Sequence, residues 1–190
     1  MNQQSKPTVI VGGGFTGLFT ALHLKHRNYP RPVVLIDQKD RFTFQPLLYE
    51  YFSQEMNTDQ VCPRYADLLE GNGITFVHGH IEEIDLLKRQ IRLEFDGDYA
   101  YEYLVLALGS VVNYFGIDGA EEFSWPFRTQ DDAFELSTHV RDCLQQASRT
   151  DDPAERQKLL TFALMGGGPS GVELAGTLGD LLPKWYADLG

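Results

Sequence analysis

One pattern occurs twice in the chain and limits its fold more than any other feature. Val9 to Leu22 reads VIVGGGFTGLFTAL, and Ala163 to Gly176 reads ALMGGGPSGVELAG. The offset is constant, so Gly12, Gly13, Gly14, Gly17 and Ala21 fall on Gly166, Gly167, Gly168, Gly171 and Ala175. In each copy an apolar run meets a glycine turn and then a helix-like run. Two such units about a domain's length apart predict two nucleotide-binding units of one kind. The stretch from Pro7 to Leu24 carries no Asp, Glu, Lys or Arg and follows Lys6, so it has the outward look of a signal peptide or short span. Its glycines break the apolar run in the middle and no A-x-A site follows, so the reading is strand, loop and helix.

Between the copies the apolar period switches. Leu18, Ala21 and Leu22 share a helical face, Val33 to Ile36 is a buried-strand run, and Ala66 to Leu69 closes a helix before a strand at Ile74 to Val77. That alternation predicts βαβ with a parallel sheet. From Ile81 onward strands dominate: Ile91, Leu93 and Phe95 alternate with charged residues, Asp96-Gly97 signals a hairpin, and Tyr103 to Leu108 reads as another buried strand. A small antiparallel meander at about residues 81–103 is therefore expected inside the parallel unit. Asp131 to Ala147 reads as a helix with Phe134, Leu136, Val140 and Leu144 apolar, and the charged run Arg149 to Lys158 reads as a seam.

The first loop, Gly12-x-Gly14-x-x-Gly17, lies between an apolar strand and an apolar helix, the context in which this spacing binds a dinucleotide. The first glycine turns tightly, the second admits a pyrophosphate to the backbone amides, and the third lets helix and strand pack closely. The helix N-terminus adds free N–H donors and a partial positive charge. An acid about 20 residues on should take the ribose hydroxyls, and Asp37 closes VVLID at that place. A carboxylate there selects an unphosphorylated ribose; Lys39 and Arg41 nearby read as solvated loop charges. The second loop, Gly166-x-Gly168-x-x-Gly171, repeats the arrangement after Phe162 to Met165, read as a strand. Its own acid falls near residue 190 or later, which leaves NADH and NADPH both open. Glu173 either complements the helix dipole or sits next to a bound nicotinamide. Ala175, Gly176 and Gly179 read as close-packing residues.

The fold class expected is thus α/β: a Rossmann-like parallel sheet with helices and an inserted β-meander, followed by the start of a second Rossmann unit. Residues 1–150 form the first nucleotide-binding domain, and residues 151–190 the first strand and helix of a second. A βαβ unit takes roughly 30 residues or more, so the second reads as incomplete.

Sixteen Lys and Arg against 27 Asp and Glu give a net charge of −11 with no basic block, which disfavours nucleic acid as a partner and repels anionic lipid. Cys62 and Cys143 form no metal or CxxC spacing, which fits a reducing compartment. His78 and His80 flank Gly79 without a third ligand nearby, so no metal is expected. Tyr49, Tyr51 and Phe52 read either as an aromatic wall or as a core edge. Asp118, Glu121 and Glu122 read as a solvated loop.

Through VIVGGGFTGL, IDQKDRFTFQPLLYE, YEYLVLALGS and FALMGGGPSGVELAGTL the chain resembles the two-dinucleotide-binding flavoproteins, and among them the type II NADH:quinone oxidoreductases. The FTFQPLLYE stretch is the most diagnostic part. The resemblance implies that Gly12, Gly14, Phe15, Thr16, Gly17 and Asp37 hold the ADP half of FAD, with Gln38 and Lys39 beside it. It implies that Pro46 and Leu47 lie near the isoalloxazine, that the backbone at Ile81 meets the adenine, and that Ala107 to Gly109 returns to the pyrophosphate. Gly166, Gly168, Pro169, Ser170 and Gly171 would hold NAD(H), with Glu173 near hydride transfer. Members are about twice this long, so the chain reads as an N-terminal portion, and the remaining segments would complete the NADH site and supply the quinone pocket and membrane contact. A cytoplasmic enzyme, peripheral on the inner face of a membrane and assembled as a homodimer, is the expectation. In this family a glycine usually follows PLLY, where this chain has Phe52-Ser53-Gln54-Glu55-Met56.

The activity implied is hydride transfer from NADH to flavin and electron delivery to a quinone, chemistry that cofactors carry and protein loops position. The absence of an obvious Ser/His/Asp set agrees with that. A sulfide:quinone or other NAD(P)H-flavin reductase is the alternative enzyme, the former relying on cysteines such as Cys143, which reads as an ordinary surface thiol. A non-catalytic nucleotide-binding redox module is the alternative of a different class.

Overall fold

The computed structural model describes residues 5–95 and 97–189. In chain order the elements are β1 (Thr8–Val11), α1 (Phe15–His26), β2 (Val33–Asp37), a 3-10 turn (Gln45–Leu47), α2 (Leu48–Ser53), α3 (Thr58–Val61), α4 (Tyr65–Leu69) and β3 (Ile74–His78). There follow β4 (Ile81–Asp85), β5 (Gln90–Leu93), β6 (Gly97–Ala100), β7 (Tyr103–Leu106), α5 (Gln130–Arg149), α6 (Pro153–Leu159) and α7 (Pro169–Ala187). Contacts group the chain into two units, Met1–Phe42 with Cys62–Val111 and Thr43–Val61 with Val112–Gly190.

The first unit holds a four-stranded sheet in the order β3-β2-β1-β7 with every neighbouring pair parallel. The runs TVIV and VVLI are buried throughout because parallel strands are covered on both faces. Val9, Ile10, Leu35 and Ile36 have no exposed surface, and each such side chain contributes roughly 1.5–3 kcal/mol of burial. β4, β5 and β6 form a separate antiparallel meander whose Ile91 and Leu93 pack with Val9, Val11, Val34, Ile36 and Val77 in one core.

Two details of this unit differ from expectation. The alternation expected to run through Phe95 stops at Leu93, where β5 ends, and Phe95 is exposed in the turn to β6. Gly97 takes φ +78° there, while Asp96 of the hairpin signal lies outside the described residues. The segment expected as a buried strand from Tyr103 to Leu108 ends at Leu106, and Tyr103, Leu106 and Leu108 are 54%, 56% and 68% exposed. The cause is position: among the described residues β7 pairs with β1 alone, so one of its edges is open.

The second unit is helical. Val140 and Leu144 of α5 meet Leu174 and Leu178 of α7 and Phe52 of α2 in a second core, with Trp185 5.8 Å from the Phe52 ring and the Arg141 guanidinium over Trp185. Phe134, expected on the apolar face of α5, is 62% exposed, while Ala133 and Ser137 take the buried positions beside it. The charged run expected as a seam is the end of α5 and most of α6, joined by Arg156, which donates to the Ala147 and Thr150 carbonyls. Phe162 to Met165, expected as a strand, carries no ladder: strands need neighbours, and among the described residues the segment has none.

Helix α5 begins with a reciprocal cap. The Thr129 hydroxyl accepts from the Asp132 N–H at 3.1 Å, and the Asp132 carboxylate accepts from the Thr129 N–H at 2.8 Å. Thr129→Ala is expected to cost about 1 kcal/mol, read as a lower midpoint in urea with an unchanged slope.

Candidate functional site

The first glycine loop is held by contacts among its own residues and two strands. The Gly12 N–H donates to the Ile36 carbonyl at 2.8 Å, and the Ala107 N–H donates to the Val11 carbonyl at 2.8 Å, so the loop leaves the sheet between β2 and β7. Gly12 sits at φ +97°, and a methyl group there would be 2.7 Å from the Ala107 carbonyl carbon. A methyl on Gly17 would overlap the Gly12 carbonyl oxygen, with the carbonyl carbon 2.9 Å away. The turn therefore needs glycine at both ends. On the outer side of Gly14 a methyl would find no atom within 4 Å, which is room of the kind a phosphate requires.

Asp37 stands at the end of β2 and binds this loop. Its Oδ2 accepts from the Gly13 N–H at 2.5 Å and its Oδ1 from the Lys39 N–H at 2.7 Å. Gln38 is fixed by two histidines, its carbonyl 3.0 Å from His78 Nε2 and its Oε1 3.4 Å from His80 Nδ1. Ile81 opens β4, and Gly109 follows β7 at φ +72°. The structure thus gathers Gly12, Gly14, Phe15, Thr16, Gly17, Asp37, Gln38, Lys39, Ile81, Ala107 and Gly109 in the first unit.

Pro46, Leu47, Gly166, Gly168, Pro169, Ser170, Gly171 and Glu173 belong to the second unit. There the second loop repeats the closure of the first. Gly166 has φ +119°, and a methyl on Gly171 would overlap the Gly166 carbonyl oxygen, as Gly17 would that of Gly12. The Val172 N–H donates to the Gly168 carbonyl at 3.1 Å, as the Leu18 N–H does to Gly14 at 2.9 Å.

The helices behind the two loops also share an omission. Neither α1 nor α7 has a side-chain cap or an acid in its first turn, whereas α5 and α6 are capped by Thr129 and Asp152. Uncapped first-turn N–H groups attract an anion. Glu173 lies beyond that first turn, and its charge is one of several that bear on Tyr49 of α2. The Tyr49 hydroxyl donates to Glu50 at 3.1 Å; that bond, then burial, then the charges of Glu50, Glu173 and Glu55 hold it above the ordinary phenol range.

Pro46 and Leu47 form the 3-10 turn ahead of α2, which buries Leu48 and Phe52 and leaves Tyr49 and Tyr51 half-buried. Gln54 caps α2 at φ +68°, the left-handed region. The departure from the family's usual glycine therefore falls next to a position where glycine is favoured. Gln54→Gly is expected to stabilise the chain by about 1 kcal/mol, measured as a raised urea midpoint.

Among the described residues no group of three or more His, Cys, Asp or Glu could hold a metal ion, and no helix is long and apolar enough to cross a membrane. Cys62 is buried, and burial followed by the Asp142 charge raises the Cys143 thiol above its ordinary value. The residue that motif reading missed is Tyr65, whose phenol tip lies against Gly13. It stands far from the glycine motif in the sequence, and only the packing of α4 beside β3 brings it there.

The sequence pattern of the pyridine nucleotide-disulphide oxidoreductases matches residues 6–184. The chain belongs to that family. Among pyridine nucleotide-disulphide oxidoreductases it is 38% identical to demethylphylloquinone reductase NdbB of Synechocystis over 182 residues, covering 91% of this chain and 43% of that relative. It is 34% identical to the type II NADH:quinone oxidoreductase Ndh of Mycobacterium tuberculosis over 194 residues, covering 95% and 42%. The chain thus spans less than half the length of these curated relatives. The structure of NDH2 from Plasmodium falciparum in complex with NADH superposes with a TM-score of 0.81 at 24% identity, covering 97% of this chain and 40% of that one, and supports the fold. The resemblance to type II NADH:quinone oxidoreductases read from FTFQPLLYE and the paired loops is borne out by these relatives.

Proposed function

We propose that this pyridine nucleotide-disulphide oxidoreductase chain is the cofactor-holding part of a non-proton-pumping enzyme that uses FAD to oxidise NADH and reduce a quinone. The observation that carries the proposal is the Gly12–Gly17 turn with Asp37 bonded to its middle amide, together with the same glycine-to-glycine closure in the Gly166–Gly171 turn. FAD fits the first loop: the amides behind Gly14 face open space, the helix end is uncapped, and Asp37 keeps lone pairs for a ribose. When bound, the flavin supplies hydride acceptance and electron delivery.

The residues of the chain supply position and charge. Gly12, Gly14, Phe15, Thr16 and Gly17 offer backbone amides to a pyrophosphate, and Asp37 accepts from a ribose while its charge turns away a 2′-phosphate. Ile81 and Ala107 to Gly109 border the adenosine and pyrophosphate, with Gln38 and Lys39 beside the sugar. Pro46 and Leu47 are assigned to the flavin ring; Gly166, Gly168, Pro169, Ser170 and Gly171 to NADH; Glu173 to the neighbourhood of hydride transfer. In this reading residues 1–150 are the FAD domain, and residues 151–190 open the NADH domain. The relatives' additional length supplies the quinone pocket and a peripheral attachment to the inner face of a membrane, and the whole assembles as a homodimer.

The activities for which the relatives are named, demethylphylloquinone reduction and NADH:quinone oxidoreduction, support a quinone as acceptor. The raised Cys143 thiol is a poor nucleophile, which weighs against sulfide chemistry at that residue. In the full-length protein NADH should bleach the flavin absorbance, and a soluble quinone should restore it. A spectrum unchanged by NADH overturns the proposal.

A further inference from the structure

We propose that the Tyr65 hydroxyl is a further nucleotide-contacting group of the first glycine loop, the hydrogen-bond donor to the ribose 2′-hydroxyl that Asp37 accepts from. The proposal rests on the reading of that loop as a dinucleotide seat.

Tyr65 is 2% exposed, and it is fixed on two sides: its ring stacks on Phe76 with centroids 4.5 Å apart, and its backbone N–H donates to the Asp40 carbonyl at 3.0 Å. The phenol tip reaches Gly13. A methyl there would lie 2.5 Å from Tyr65 Cζ and nearer still to the hydroxyl oxygen. Since the Gly13 N–H donates to Asp37 Oδ2, phenol, loop amide and carboxylate converge on one point.

The Tyr65 hydroxyl makes no hydrogen bond among the described residues, and unlike the Tyr101 hydroxyl it is not closed off from solvent. A tyrosine hydroxyl shielded from water usually finds a partner, as that of the half-buried Tyr29 does with the Thr8 hydroxyl at 2.9 Å. A phenylalanine would serve the stack on Phe76 equally well, so the oxygen has no packing role there. Burial, and then the charge of Asp37, drive the phenol far above its ordinary range, so it stays a donor at every physiological pH.

The pairing is complementary. A carboxylate only accepts, and a phenol can donate, whereas a sugar hydroxyl has one proton to give and lone pairs to receive with. Asp37 takes the proton, and Tyr65 fills a lone pair. The second loop differs on this point: a methyl on Gly167, the counterpart of Gly13, would find nothing within 4 Å. The tyrosine thus belongs to the first seat, and it also explains why the middle residue of that loop is glycine.

The test uses the full chain freed of bound nucleotide, wild type and Tyr65→Phe, titrated by calorimetry with ADP and with 2′-deoxy-ADP. Tyr65→Phe should weaken ADP about tenfold and 2′-deoxy-ADP less than about twofold, with no fall in Tm. Equal ADP affinity in the two proteins overturns the proposal. A tenfold loss for both nucleotides, or a loss accompanied by a lower Tm, also overturns it, because the hydroxyl would then be structural. Wild-type protein that binds neither nucleotide overturns the dinucleotide reading itself, an outcome distinct from the others.

Discussion

Gly17→Ala is expected to strip the protein of its flavin. The added methyl would overlap the Gly12 carbonyl oxygen, and Gly12 has little room to retreat because the face on which it lacks a side chain is closed by the Ala107 carbonyl. Relief requires α1 to move off β1, which pulls the first-turn amides away from the anion they would hold. Forcing a group into a packed place of this kind costs about 3 kcal/mol, a loss of roughly a hundredfold in affinity if it falls on binding. The check is the flavin-to-protein absorbance ratio after gel filtration, with circular dichroism to establish that the sheet persists. Full flavin content in this variant would refute the steric argument.

The second large effect is expected at Asp37. Asp37→Ala removes the acceptor for the Gly13 and Lys39 N–H groups along with the proposed partner of the ribose. Charged hydrogen bonds are worth about 1.5–3 kcal/mol each, so affinity for FAD should fall about 10- to 100-fold. Asp37→Asn keeps one acceptor oxygen and loses the charge, so it should fall between alanine and wild type. It should also lessen the bias against a phosphorylated ribose, measured by comparing ADP with 2′-phospho-ADP in competition with FAD. An Asp37→Ala protein that retains FAD at wild-type affinity would remove the carboxylate from the site.

Much of this was legible because the deciding interactions are local. The turn between Gly12 and Gly17 is a contact between residues one turn apart, and the spacing alone announces it. Val33 to Asp37 is read correctly because a strand covered on both faces is apolar throughout and the acid marks its end. Where contacts are distant, pattern fails for identifiable reasons. Leu106 and Leu108 look like core residues, yet they lie at and just beyond the end of an edge strand; apolarity announces a tendency to be buried, and neighbours decide the outcome. Phe134 keeps the helical period of α5 but loses its place to smaller Ala133 and Ser137. Phe162 to Met165 has a strand's composition and no ladder. Tyr65 could not be found at all, since nothing in a run such as CPRYADLL says which loop its ring will touch.

The bare first turns of α1 and α7 have a cost that the free chain bears. Each begins without a side-chain cap, which is a less stable way to begin a helix than the reciprocal cap at Thr129. Occupancy by the proposed diphosphate would repay that deficit, so the ligand would act as a missing piece of secondary structure as well as a reagent. Heat or protease should therefore discriminate sharply between filled and empty molecules.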